Sequence, residues 1–269
     1  MTTTLHHPNG SSAQIHEYGA HITSWCTTDG MERLFLSQRA EFREGAAIRG
    51  GVPIIFPQFA GLGHLPKHGL ARTANWQRVS VPNELADSAL FRWQDNEATY
   101  AIWPQQFVAE YKVSLGVDSL SMQLSIRNTG KHSFIFTAAL HTYLRVRHIA
   151  QISISGLQDL RYSDSAVGGM DSFDSASSLR VEGELDRIYY STVQPIKVFE
   201  RGHRTLVCRA DGFADTVVWN PGAEKAATLL DLEPDGYRHM LCVEAAAIGA
   251  PIVLQPLASW SGTQYLQVE

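Results

Sequence analysis

Phe134-Ile-Phe-Thr-Ala-Ala-Leu-His-Thr-Tyr-Leu-Arg-Val146 settles the fold class, because it alternates as a strand does. Side chains alternate between the two faces of a strand. Phe134, Phe136, Ala138, Leu140, Leu144 and Val146 therefore share one face, which is core. Thr137, His141, Tyr143 and Arg145 share the other. Working outward, short runs rich in Val, Ile, Phe, Tyr and Thr recur at residues 13–16, 89–93, 107–115, 121–127, 151–155, 196–199 and 204–209, which is the signature of strands between turns. Val117-Asp118-Ser119 and Asn128-Thr129-Gly130-Lys131 read as turns, so 107–146 is expected to form a three-stranded antiparallel meander. No window has an apolar stripe at helical spacing with caps at both ends. Many strands without alternating helices predict an all-β fold, a large antiparallel β-sandwich, rather than a doubly wound α/β sheet. There is no linker-like break in composition and no internal repeat, so residues 1–269 are read as one domain. Two segments read as irregular: 45–76, dense in Gly and Pro, and 163–178, rich in Ser, Asp and Gly and expected as a surface loop.

With 269 residues and 44% hydrophobic content, the chain can bury a substantial core. Charged residues make up 18% and the net charge is −5, with no basic tract. Such a chain gains little from counterion release, which argues against nucleic-acid binding. The opening MTTTLHHPNG lacks the basic and apolar regions of a signal peptide. The longest nearly apolar stretch, 245–254, is too short to cross a bilayer as a helix, so no membrane association is expected. Cys26, Cys208 and Cys242 are widely spaced, form no metal-ligand pair and read as small buried hydrophobes. A reduced, cytoplasmic setting and a monomer are expected.

His141 lies on the polar face of the deciding strand. That face fits two readings, an ordinary solvated surface or a concave binding face on which His141 acts as general acid or base. Glu244 is the one charge in Met240-Leu-Cys-Val-Glu-Ala-Ala-Ala-Ile248, a run apolar on both faces and so expected as a central buried strand. A carboxylate there is costly unless it is paired or functional. It is either half of a structural ion pair or a base with a tuned pKa. Arg49, Lys67, His68 and Arg72 are four potential donors in a segment, 45–76, without an acidic residue. Glycines beside Arg49 and His68 would let backbone approach a ligand closely. The set reads as an anion pocket suited to phosphate, or as arginines that bridge to carboxylates elsewhere. His64 and His68 are spaced for one face of a helix, but the surrounding prolines and glycines deny a helix, and no metal is expected. No nucleotide fingerprint or Gly-x-Ser-x-Gly elbow is present.

Six blocks in order, Arg49-Gly-Gly-Val-Pro53 with Phe56-Pro57, His68-Gly-Leu-Ala-Arg72 with Trp76, Leu140-His-Thr-Tyr143, Glu184-Leu-Asp-Arg-Ile-Tyr189, Val217-Val-Trp-Asn-Pro221 and Cys242-Val-Glu-Ala245, resemble the glucose-6-phosphate 1-epimerases (hexose-6-phosphate mutarotases) of the aldose 1-epimerase superfamily. The resemblance covers the chain from about Ala13 onward. It implies a galactose-mutarotase-like supersandwich, catalytic roles for His141 and Glu244, and substrate contacts from Arg49, Lys67, His68, Arg72 and Asp186. One departure is Pro256-Leu257, where Pro-Gly is expected.

Such an enzyme interconverts the α and β anomers of a pyranose through the open-chain aldehyde. A base takes the anomeric hydroxyl proton while an acid protonates the ring oxygen, and the roles exchange on closure. Glu244 is expected as the base, ionised at pH 7, and a protonated His141 as the acid, with no cofactor. Two rivals remain from the sequence. A non-catalytic carbohydrate-binding protein on the same sandwich would need neither the buried Glu nor the His. An aldose 1-epimerase for unphosphorylated sugars would not need the cluster of Arg49, Lys67 and Arg72.

Overall fold

The computed structural model describes residues 1–82 and 85–269. Strands in chain order are β1 Thr2–His6, β2 Ser12–His16, β3 His21–Cys26, β4 Ile54–Ile55, β5 Gln77–Val79, β6 Ser88–Gln94, β7 Phe107–Gly116, β8 Ser119–Asn128, β9 Phe134–Leu140, β10 Tyr143–Arg145, β11 Ile152–Ser155, β12 Arg161–Asp164, β13 Met170–Phe173, β14 Leu185–Tyr189, β15 Ile196–Glu200, β16 Leu206–Asp211, β17 Asp215–Asn220, β18 Met240–Leu254 and β19 Ser259–Val268. Two short helices, α1 Glu97–Ile102 and α2 Gly222–Ala226, accompany them.

The strands form two eight-stranded sheets and one of three. One large sheet runs β13-β12-β14-β17-β18-β9-β4, with β10 also paired to β18. The other runs β11-β15-β16-β19-β8-β7-β6-β5. Strand pairings within the sheets are antiparallel, as expected for a β-sandwich. Alternation fills the space between the sheets: Phe107, Tyr111, Leu124 and Ile126 from one meet Leu140, Val218, Leu241 and Val243 from the other.

The expected meander does not form. β7 and β8 make the hairpin around Val117-Asp118, but the other edge of β8 is occupied by β19. β9 crosses to the opposite sheet and pairs with β18 and β4. Phe134 and Phe136 then pack edge-on against Trp103 and Trp260, respectively. Asn128 anchors the crossing, donating through Nδ2 to the carbonyls of His132 and Leu254. The deciding strand is also interrupted, ending at Leu140 and resuming at Tyr143. The segment 163–178 is not all loop either. It contains the last residues of β12 and all of β13, an exposed hairpin at the sheet's edge.

β18 is central and buried on both faces from Met240 to Ile248, as its sequence predicts. Its second face is covered by another apolar cluster, which includes Phe35, Ile55, Phe59, Tyr143, Trp219 and Leu232. Segment 45–76 lies across this face. Leu257 adopts φ 63° at the turn where the family pattern expects glycine. The turn persists because Leu257 N–H donates to the Asn128 carbonyl at 3.0 Å while its side chain stays exposed.

Candidate active site

The two ends of the interrupted strand fix the site. Leu140 pairs with Ala245 and Tyr143 with Cys242, so the register is continuous across the break. That register sets His141 directly opposite Glu244, and cross-strand neighbours of this kind have Cβ atoms about 5 Å apart. At the break the backbone hands its bonds to the irregular segment: His141 N–H donates to the Pro53 carbonyl at 3.0 Å and Tyr143 N–H to the Gly51 carbonyl at 2.9 Å. Thr142 turns inward and donates to Gln264 Oε1 at 2.6 Å, while His141 turns to the covered face.

His141 Nδ1 stands 3.2 Å from Glu244 Oε1. The contact does not have hydrogen-bond geometry, and His141 Nδ1 and Glu244 Oε2 are both buried without a hydrogen-bond partner. Burial, with the nearby Asp186 charge, pushes the Glu244 carboxyl well above the usual range. Burial also pushes His141 well below the ordinary imidazole range, helped by His68, Arg49 and Arg72. Both shifts favour the neutral forms of the pair. That direction is opposite to the ionised Glu244 and protonated His141 expected for the reaction. The physical reason is desolvation, which penalises two buried charges more than their mutual attraction returns.

Three aromatic contacts hold the imidazole. Tyr143 stacks on it with ring centres 4.8 Å apart and planes 9° from parallel. Trp219 meets it edge-on at 5.9 Å, and His68 does so at 5.6 Å.

The cationic residues from segment 45–76 gather on the same side. Arg49 donates to Tyr143 Oη at 2.9 Å and pairs with Asp231 at 3.1 Å. Arg72 donates to the Lys67 carbonyl at 2.8 Å, and among the described residues no carboxylate lies within ion-pair distance of it. Burial lowers its pKa, an effect Arg49 reinforces. The two arginines thus differ: Arg49 is ion-paired with Asp231, whereas Arg72 is a half-buried cation that feels the Asp231 charge without an ion-pair contact to a carboxylate among the described residues. His68 is buried, and burial followed by Arg72, Lys67 and Arg49 lowers its pKa to about 3, so it is a neutral imidazole. It sits at φ 66°, a left-handed conformation that usually marks stored strain in a non-glycine residue. Lys67 is exposed, and its charge is felt at both His68 and Asp186.

Asp186 marks the far side. Register places Asp186, Trp219, Cys242 and Tyr143 in one row across β14, β17, β18 and β10. Burial raises the Asp186 pKa, opposed by Lys225, whose Nζ lies 4.0 Å away. The seven residues singled out from the sequence all surround this face, while His64 is solvent-exposed.

The glycines are required by the packing of the chain itself. A Cβ on Gly51 would lie 2.1 Å from the Ile22 carbonyl oxygen, and one on Gly69 would lie 2.3 Å from that of Phe56. Both sit at positive φ, 61° and 69°. They allow the chain's own backbone to approach closely. Sequence reasoning also missed Asp231, Trp219 and Cys242 as site residues. Asp231 gave no signal, because nothing local links it to Arg49. Trp219 and Cys242 did lie inside motif blocks.

A model of the aldose 1-epimerase family matches residues 1–267. The chain belongs to the aldose 1-epimerase family. Among family relatives, a Cenchrus ciliaris protein carrying the provisional name glucose-6-phosphate 1-epimerase is 36% identical over 260 residues, 93% of this chain and 79% of its own. An Escherichia coli K12 protein with the same provisional name is 33% identical, over 85% of this chain and 77% of its own. The crystal structure of YeaD from Salmonella typhimurium, described provisionally as a mutarotase, superposes with a TM-score of 0.90 at 29% identity, covering 99% of this chain and 90% of that one. The aldose 1-epimerase supersandwich anticipated from the motif blocks is thus the architecture of this chain.

Proposed function

We propose that this chain interconverts the α and β anomers of a hexose 6-phosphate, glucose 6-phosphate foremost, with His141 and Glu244 as its acid–base pair. The observation that carries the reading is that pair: opposed in register, 3.2 Å apart, buried, and each with an unsatisfied polar atom. The names of the relatives agree with it. The substrate phosphate would meet Arg72 and Arg49, with His68 and Lys67 beside them, and Asp186 would face the sugar hydroxyls.

One proton on the pair is what ring opening needs, since one group must accept and the other donate. Arg49 and Arg72 act on His141, whereas the charge acting on Glu244 is Asp186. A phosphate dianion at the arginines therefore stabilises the imidazolium more than it disfavours the carboxylate. Substrate binding moves the proton from Glu244 to His141. Glu244 then takes the anomeric hydroxyl proton, His141 protonates the ring oxygen, and the roles reverse on closure. The phosphate, held away from the reacting atoms, supplies the binding energy that positions C1.

The reading includes one domain over 1–269, action as a monomer and a reduced, cytoplasmic setting, to which three free cysteines are suited. The test is NMR exchange between glucose 6-phosphate anomers, corrected for spontaneous mutarotation. His141→Asn and Glu244→Gln should each lower exchange about 10²–10⁴-fold with the circular dichroism spectrum unchanged. Near-wild-type exchange in either folded variant would remove that residue from the mechanism.

A further inference from the structure

We propose that His141, Cys242 and Glu244 together form a binding site for a thiophilic divalent cation of the zinc class, and that its occupancy blocks the acid–base pair. The site rests on geometry alone; only the blocking rests on the function proposed for His141 and Glu244.

Cys242 and Glu244 are two residues apart on β18 and so project from the same face. His141 stands opposite Glu244, and Tyr143, two residues on, stands opposite Cys242. One nitrogen, one sulfur and one carboxylate oxygen consequently lie within 4.8 Å of one another, all three residues buried. Two of these side chains have polar atoms without a hydrogen-bond partner, His141 Nδ1 and Glu244 Oε2. Buried polar atoms of this kind ordinarily find a partner, and these belong to two of the three side chains in the cluster.

The donor set selects the ion. Zinc takes sulfur at about 2.3 Å and nitrogen or oxygen at about 2.0–2.2 Å in a tetrahedron. Donors on such a tetrahedron are about 3.5 Å apart, so the His141–Glu244 separation already fits and the Cys242 thiol has about an ångström to close. A thiolate and an imidazole suit zinc, cobalt or cadmium, whereas magnesium or calcium would find a single hard oxygen donor. Three protein ligands leave the fourth position for water or a substrate hydroxyl. Binding expels the thiol proton and engages the atoms that would otherwise exchange protons with the sugar.

The test uses EDTA-treated, desalted protein titrated with Co²⁺ and, separately, Zn²⁺. Wild type should develop a near-ultraviolet sulfur-to-cobalt charge-transfer band and the strong visible bands of four-coordinate cobalt. Cys242→Ser should lack the charge-transfer band. Zinc should inhibit wild-type anomer exchange, EDTA should restore it, and Cys242→Ser should need roughly 10- to 100-fold more zinc for the same inhibition, the loss that even an outer partner of a metal ligand causes. Inhibition is read against each variant's own metal-free rate, and Cys242→Ala serves if the serine variant does not fold. A wild type without the charge-transfer band, or one whose zinc affinity equals that of both Cys242 variants, overturns the site. A site with the band whose zinc occupancy leaves exchange untouched overturns the blocking, and with it the roles of His141 and Glu244, while the metal site stands.

Discussion

Segments 45–76 and 163–178 look alike in sequence, both irregular and rich in glycine, yet the fold uses them in opposite ways. The first lies across the centre of a sheet. Its carbonyls at Gly51, Pro53 and Pro57 accept from Tyr143, His141 and Thr137, and it supplies Arg49, His68 and Arg72 to the site. The second forms the outermost hairpin of the same sheet, where every residue of β13 is exposed. Its basic neighbour, Arg161, is paired with Asp171 at 2.6 Å and stacked on Tyr190, whereas Arg72 has no carboxylate within ion-pair distance among the described residues. Glycine supplies the same backbone freedom in both places. What the chain packs against decides whether that freedom becomes a site or a solvated edge.

Adding one methyl group to each segment should separate the two most strongly. Gly51→Ala meets the Ile22 carbonyl oxygen at 2.1 Å and should cost about 3–5 kcal/mol in urea unfolding. Gly168 has φ 92° with nothing within 4 Å of an added methyl, so Gly168→Ala should cost only the left-handed strain, about 1–2 kcal/mol. Equal losses would mean that segment 45–76 is not packed as described.

Acid should distinguish the regions next. His21, buried beneath segment 45–76 with Nε2 2.7 Å from the Gly50 carbonyl, has its pKa lowered to about 4 by burial. A lowered pKa means that the unfolded chain takes up the proton first. The stability is complete above about pH 6.5 and is lost as pH falls toward 4, by about 3 kcal/mol. His21→Gln should flatten that part of the stability–pH curve; an unchanged slope would assign the acid sensitivity elsewhere.

Phosphate selectivity follows. A hydrogen bond to a charged group contributes roughly 1.5–3 kcal/mol, so Arg72→Ala should lower kcat/KM for glucose 6-phosphate about 10- to 150-fold. With free glucose the change should be small, and Arg161→Ala should leave the ratio of the two substrates at its wild-type value. Arg49→Ala should shift the ratio less than Arg72→Ala, because Asp231 already offsets that charge. A ratio unaltered by Arg72→Ala would remove the phosphate from this pocket. The smallest effect belongs to the hairpin: Phe173→Ser, at an exposed aromatic, should alter stability by less than about 0.5 kcal/mol and leave exchange rates unchanged.

The strand pattern, the burial of β18 on both faces, and the chemical types at His141, Glu244, Arg49 and Arg72 are legible from the amino-acid sequence alone. Each of these is a local property: alternation, an isolated charge in an apolar run, or donors in a segment without acids. Tertiary structure decided the partners. Nothing in 134–146 says that β9 leaves the hairpin before it and crosses to pair with β18, yet that pairing is what sets His141 against Glu244. Nor does segment 45–76 reveal that Arg49 meets Asp231, 182 residues away, or that Tyr143 and Trp219 brace the imidazole. The direction of the pair's pKa shifts was also invisible, because it depends on how much water the covering segment excludes. Composition and periodicity fix which face of a strand a side chain takes; strand pairing, ion-pair choice and desolvation are settled by long-range packing, and the site depends on all three.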